Sequence, residues 1–147
     1  NREELIISPL QAYEDEPVII KTLLSLRNAP FIRSVISVNF TLNLSIPSDK
    51  DTACLDYGMV KFPLVIRKWK AGDAFIPFGM KRRKKLSDYF TDRKFSVPEK
   101  ERALIQESGG IIAWIIGERI DERFRITGET RKAIIIKASG AGHQASG

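Results

Sequence analysis

The sequence predicts an α+β fold, predominantly antiparallel or mixed β and sandwich-like, with two short helices. Three observations lead there. Short β-branched and aliphatic runs alternate with polar turns through the first 60 residues; helical spacing occurs in only two stretches, residues 86–93 and 96–106; and short apolar runs return at residues 111–116 and 133–138. With 147 residues, 43% of them hydrophobic and 29% charged, the chain has the size and makeup of one ordinary globular domain. A multi-domain enzyme and global disorder are both excluded.

In chain order, residues 5–8, 18–26, 32–43 and 52–55 are the first candidate strands. In the third, Val35 and Ile36 are both apolar and break strict alternation, which predicts a bulge near residues 34–37. Pro17, residues 28–30 and the polar turn at 47–51 separate the runs. The texture changes near Val60, which divides the chain into a β-rich N-terminal lobe (1–60), a second unit (61–138) and a Gly-, Ala- and Ser-rich tail (139–147) expected to be disordered. Residues 64–69 form another strand after Pro63, and Gly72-Asp73 marks a turn. Leu86, Tyr89, Phe90 and Arg93 recur at i, i+3, i+4 and i+7, an amphipathic helix. Ser96 with Glu99 reads as a capping box opening a helix that runs through Gln106. After the turn at Ser108-Gly109-Gly110, residues 111–116 are apolar on both parities and read as a strand covered on both faces. Residues 123–127 alternate, and residues 133–138 close the sheet.

Several chemistries are excluded. The only histidine, His143, lies in the tail, so a Ser-His-Asp or Cys-His site is set aside. One cysteine, Cys54, with that histidine cannot close a zinc shell, and a lone thiol fits a reducing, cytoplasmic setting. The apolar runs are far shorter than the roughly 20 residues that cross a bilayer. Ser108-Gly109-Gly110 has the start of a pyrophosphate-binding loop, but Ile112 and Ala113 stand where polar residues are required. The carboxylate pairs Asp121-Glu122 and Glu99 with Glu101 read as solvated charges or ion pairs. Because the chain begins at Asn1 and shows no leader, it is expected to be a piece of a longer protein.

Charge is the strongest signal. The net +6 is local: residues 61–85 hold nine basic and one acidic residue, net +8, against −3 before and +1 after. Lys81, Arg82, Arg83, Lys84 and Lys85 form an exposed loop, because burying unpaired cations costs several kcal/mol each. With Arg67, Lys68 and Lys70 on the preceding strand they form a constellation that a polyanion would relieve, and they are the candidate phosphate contacts. Such contacts suit a structured RNA recognised by shape. Trp69, Phe75, Phe78 and Tyr89 interleave with the cations; each either stacks on a base or plugs the edge of a core.

Two ordered blocks carry a resemblance. Arg67-x-Trp69-x-x-Gly72-Asp73-x-x-x-Pro77-x-Gly79-Met80-Lys81, continued by Lys84-Lys85-Leu86-x-Asp88-x-Phe90, is the first; Ile112-x-Trp114-x-x-Gly117-x-Arg119-Ile120-Asp121-x-Arg123-Phe124-x-Ile126-Thr127 is the second. Spanning about residues 62–137, they resemble the C-terminal domain of the tRNA(Ile)-lysidine synthase family. The resemblance implies a sandwich-like α+β domain, similar to one in the phenylalanyl-tRNA synthetase β chain, that is non-catalytic by itself. It implies binding of isoleucine tRNA at the acceptor stem, with a parent catalytic domain as the other partner. ATP and Mg would belong to that parent's N-terminal PP-loop domain, with no cofactor in this segment. Gly72, Asp73, Pro77, Gly79 and Asp88 are expected to shape the loop, with Asp73 and Asp88 capping it or pairing with Arg67 or Lys85. Arg82 stands where the family commonly has Gly, which would strain the backbone if that position required φ > 0. The alternative is an assembly module in which the same region meets another subunit, a second copy of the chain or the parent's own catalytic domain.

Overall fold

The computed structural model describes residues 16–41 and 45–139. The strand expected at 5–8, the end of the 32–43 run, His143 and nearly all of the tail lie outside the described residues. The fold class is as expected: mixed α+β, mostly antiparallel sheet.

Among the described residues, ten strands fall into three antiparallel sheets. The largest has the order β1 (Val18–Ile20), β4 (Leu64–Lys68), β7 (Leu104–Ser108), β8 (Ile111–Ile115), β9 (Arg119–Ile120). A second sheet places β10 (Lys132–Ala138) between β2 (Ile32–Asn39) and β3 (Thr52–Asp56). A third pairs β5 (Ala74–Phe75) with β6 (Lys84–Lys85). Strands from both sides of Val60 share the two larger sheets, since β1 pairs with β4 and both β2 and β3 pair with β10.

The five-stranded sheet is covered on both faces, which accounts for the apolar run at 111–116. Toward the three-stranded sheet, Leu64, Ile66, Leu104, Trp114 and Ile116 pack with Val35, Leu55, Ile134 and Ile136 in the main core. On the opposite face Ile105, Ile112 and Ile115 pack with Phe75 and with Leu86, Tyr89 and Phe90 of the helix α2 (Leu86–Asp92). Both Ala113 and Trp114 join the main core because the β7–β8 register shifts between Gln106 and Glu107, skipping Ala113. The two-residue connection uses Gly109 and Gly110 at φ 58° and 87°, the left-handed pair that a tight hairpin demands.

Four sequence expectations change. The 18–26 run is not one strand: Thr22 accepts the Ser25 N–H at 3.0 Å and caps a short helix, α1 (Leu23–Arg27), whose Leu26 is buried. The predicted bulge on β2 lies slightly upstream, at Arg33, where pairing steps from Ser34↔Lys137 to Ile32↔Ala138. Ser96 and Glu99 do form both bonds of the capping box, yet α3 (Val97–Arg102) ends four residues early, because Leu104 and Ile105 bury in opposite cores as the start of β7. Residues 123–127 are not a strand either. The Asp121 carboxylate accepts the Arg123 N–H at 2.8 Å and bends Glu122–Phe124 into a single 3-10 turn, burying Phe124.

Arg27 blunts the long outer edge of β2, its Nε donating to the Val35 carbonyl at 3.1 Å. No helix among the described residues is long and apolar enough to cross a membrane.

Gln106, wholly buried between Ile66 and Trp114, has neither its amide nitrogen nor its amide oxygen hydrogen-bonded. Removing an unsatisfied amide without changing volume relieves its desolvation penalty. Gln106→Met is expected to raise the free energy of unfolding by about 1 kcal/mol, read as a higher urea midpoint at unchanged m-value. A lower midpoint would mean that a buried water already satisfies the amide.

Candidate nucleic-acid interface

The cation-rich segment leaves the domain body as one excursion between β5 and β6, and its base is fastened. Ala74 pairs with Lys85 and Phe75 with Lys84, while the Leu86 N–H donates to the Asp73 carbonyl at 3.0 Å. Asp73 is the pivot. Its two carboxylate oxygens accept from Arg67 Nη1 and Nη2 at 2.9 and 3.0 Å, a bidentate pair, and the Lys70 N–H reaches the same carboxylate at 2.7 Å. Arg67 Nε donates to Glu107 on β7 at 2.6 Å, and Nη1 also donates to the Lys68 carbonyl at 2.9 Å. Gly72, at φ 95°, supplies the left-handed residue of the turn that the Asp73 N–H closes onto Lys70.

These bonds set the electrostatics. Burial would raise the Asp73 carboxyl, but the Arg67 guanidinium and the Lys70 N–H outweigh it and hold the group below the usual carboxylate value. The Asp73 hydrogen bond, against the cost of burial, pushes the Arg67 guanidinium above its ordinary value. Asp73 thus pairs with Arg67 as expected, and the consequence for Arg67 is decisive: every one of its nitrogens donates within the chain.

The middle of the loop is fastened separately. The Met80 N–H closes a turn onto the Pro77 carbonyl at 2.9 Å, with Gly79 at φ 91° in its third position. Phe78 N–H donates to the Ile120 carbonyl at 3.0 Å and Gly79 N–H to Glu122 Oε1 at 2.8 Å. Pro77 bridges to Asp121, whose carboxylate is completely buried and accepts from Ile76 N–H at 2.8 Å and from Arg123 Nε and Nη2 at 2.9 and 2.8 Å. Asp121 and Glu122 are therefore supports of this loop, a role that the Asp121-x-Arg123 spacing hints at and that charge counting alone misses.

Lys81, Arg82, Arg83 and Lys85 remain exposed, with no ion pair to any described residue. Lys84 is half-buried and pairs with Asp92. Lys70 is exposed and Lys68 half-buried. Asp88 stands in the first turn of α2, not in a pair with Lys85; with Thr91 and Asp92 it faces Met80, Arg82 and Arg83 across a cleft of about 470 Å³. Arg82 has ordinary backbone geometry, since Phe31 and Lys94 are the described non-glycine residues with positive φ. Of the interleaved aromatics, Phe75 and Tyr89 are buried, Trp69 is half-buried with Nε1 donating to the Lys100 carbonyl at 2.6 Å, and Phe78 is 51% exposed.

No family model matches the chain. A tRNA(Ile)-lysidine synthase from Parabacteroides distasonis is 43% identical over 140 residues, which is 95% of this chain and 32% of the relative. Its counterpart from Bacteroides thetaiotaomicron is 53% identical over 98 residues, 67% of this chain and 23% of the relative. The chain thus spans a third or less of the length of these curated relatives. Among solved structures, the TILS C-terminal domain superposes with TM-score 0.61 at 19% identity, over 83% of this chain and 95% of that one. An N-terminal fragment of the phenylalanyl-tRNA synthetase β-subunit from Pyrococcus horikoshii superposes with TM-score 0.52 at 16% identity, over 60% of this chain and 28% of that one. At these identities both structures are likenesses of fold.

A carboxyl held low by its partners stabilises the fold above its unfolded pKa of about 3.9 and loses that contribution as pH falls through the lower folded value. The stability gap between the wild-type chain and Asp73→Asn is therefore expected to be constant above about pH 5 and to shrink on further acidification. Urea melts between pH 3 and 7, taken as about the span of that titration, measure it.

Proposed function

The chain is homologous to the tRNA(Ile)-lysidine synthases over 95% of its length and has the fold of the TILS C-terminal domain, and on that premise we propose that it is a tRNA-binding module of such a synthase. It docks the acceptor stem of an isoleucine tRNA through phosphate contacts, while ATP- and Mg-dependent lysidine formation belongs to another part of the protein. The observation that carries this reading is the set of four exposed cations, Lys81, Arg82, Arg83 and Lys85, unpaired among the described residues, on a loop fastened at its base and middle. Cations grouped this closely repel one another, and a phosphate backbone relieves the repulsion. A rigid array of this kind reads the spacing of phosphates on a helix rather than the identity of bases. Lys70 extends the array. Arg67 acts through Asp73 as a positioning residue, since each of its guanidinium nitrogens already donates within the chain.

Neutralising RNA phosphates releases counterions, so affinity for isoleucine tRNA is expected to fall steeply with salt. Replacing Arg82 and Arg83 together by Ala weakens binding and flattens the slope of log K against log salt by about 0.9 for each phosphate that is no longer neutralised. Filter binding or anisotropy across a potassium chloride series measures this. An unchanged slope would overturn the reading, and a stable dimer without RNA affinity in sedimentation would favour the assembly module instead.

A further inference from the structure

Beside the cationic loop lies a cavity of about 410 Å³, walled by Phe78, Ile120, Ile126 and Ile46, with Thr52 and Arg119 among its polar groups. We infer that this cavity takes one unpaired nucleobase of the RNA whose backbone lies on residues 81–85; the inference rests on the RNA-binding reading above and names a second element of what is bound.

Phe78 is the first reason. Its ring is half in solvent, whereas the aromatic side chains that neighbour it in sequence, Phe75 and Tyr89, are buried. Looseness of the loop does not explain this, because the Phe78 N–H is bonded to Ile120, the turn is closed by Met80 onto Pro77, and Gly79 is held by Glu122. A flat apolar ring is thus presented to solvent at a fixed position, at the cost of leaving it wet. Base stacking on such a ring is sequence-tolerant and relieves that exposure.

Size and charge supply the rest. A volume of about 410 Å³ falls within the range of about 300–1,000 Å³ typical of small-molecule sites, room enough for a base and part of its sugar. Phe78 and Arg82 stand four positions apart, at most about 14 Å of chain, so one RNA strand can set a phosphate on the guanidinium and a nearby base against the ring. The buried carboxylate at the cavity, Glu118, is already neutralised: Tyr89 Oη–H donates to it at 2.9 Å and Arg93 Nε at 2.8 Å. It therefore does not repel an approaching phosphate chain. Asp49 and Lys50 at the rim balance each other in charge. Arg119 lines the cavity with its guanidinium 5.9 Å from the Tyr89 ring centroid, and its positive charge suits a negatively charged strand. An apolar protein side chain would also fit the walls, but the adjoining unpaired cations complement a strand that carries negative charge on every residue.

Two RNA hairpins test it, identical in the stem, one blunt and one ending in four unpaired 3′ nucleotides with 2-aminopurine among them. The wild-type chain is expected to bind the extended hairpin about tenfold tighter or more, the effect of one stacked base, and to quench the 2-aminopurine. Phe78→Ala should abolish the preference and the quenching while leaving blunt-hairpin affinity and its salt slope intact, and Phe78→Trp should keep both. Equal, salt-sensitive binding of the two hairpins by the wild type would overturn this inference and leave the phosphate-docking reading standing. So would an equal loss on both hairpins in Phe78→Ala. Failure of the wild type to bind either hairpin would overturn both.

Discussion

Two parallel hydrogen bonds between the Arg67 guanidinium and the Asp73 carboxylate join β4 of the central sheet to the start of the basic loop, and most of the surface chemistry depends on them. Through Glu107 the same guanidinium reaches β7, so one planar cation ties two neighbouring strands to the turn at Gly72. A lysine ammonium has no planar fork, so it could not make the bidentate pair with Asp73 while also reaching Glu107 and the Lys68 carbonyl. With Asp73 fixed, its carbonyl receives the first N–H of α2, and the helix that covers the second core starts where the loop ends.

The loop itself is held from outside. Five adjacent cations cannot be packed among apolar side chains, so the fold places carboxylates at their flanks: Asp73 at the base, Glu122 and the buried Asp121 behind the Phe78 turn, and Asp92 on Lys84. Of the five, only Lys84 is neutralised among the described residues, and the remaining positive charge is held at a defined place. Arg67 and Lys85 illustrate the division. Alike in charge, one is bonded into the fold and the other stands in solvent.

What the amino-acid order reveals follows the range of the interactions involved. Local signals were legible: the Ser96 capping box, the Leu86-Tyr89-Phe90 face, the glycines at 72 and 79, and the doubly apolar β8 all form as read. Long-range ones were not. Leu104 and Ile105 continue a helical pattern until the cores on either side of β7 claim them, and Leu23 and Leu26 look like strand until Thr22 is seen to cap. The charge run marked the loop, while its supports at Asp121 and Glu122 lie some 40 residues away in sequence; their reading as solvated charges or ion pairs holds in the pairs with Arg123 and Arg125 but does not reveal the bonds to the loop. Phe78 was one of four aromatic candidates, and only burial separates it from the other three.

The place of β10 has a consequence for how such a chain is made. It is the last described strand, yet it is the middle strand of its sheet, and among the described residues β2 and β3 have no other ladder partner. A ribosome adding about 5–20 residues per second exposes β2 for several seconds or more before its partner emerges. During that interval Val35 and Ile36 have no sheet to join, and the Arg27 side chain on the edge carbonyl is the protection already encoded nearby. The three-stranded sheet, and with it one side of the main core, is therefore completed only once β10 has emerged, so loss of that strand would remove the sheet entire rather than shorten it.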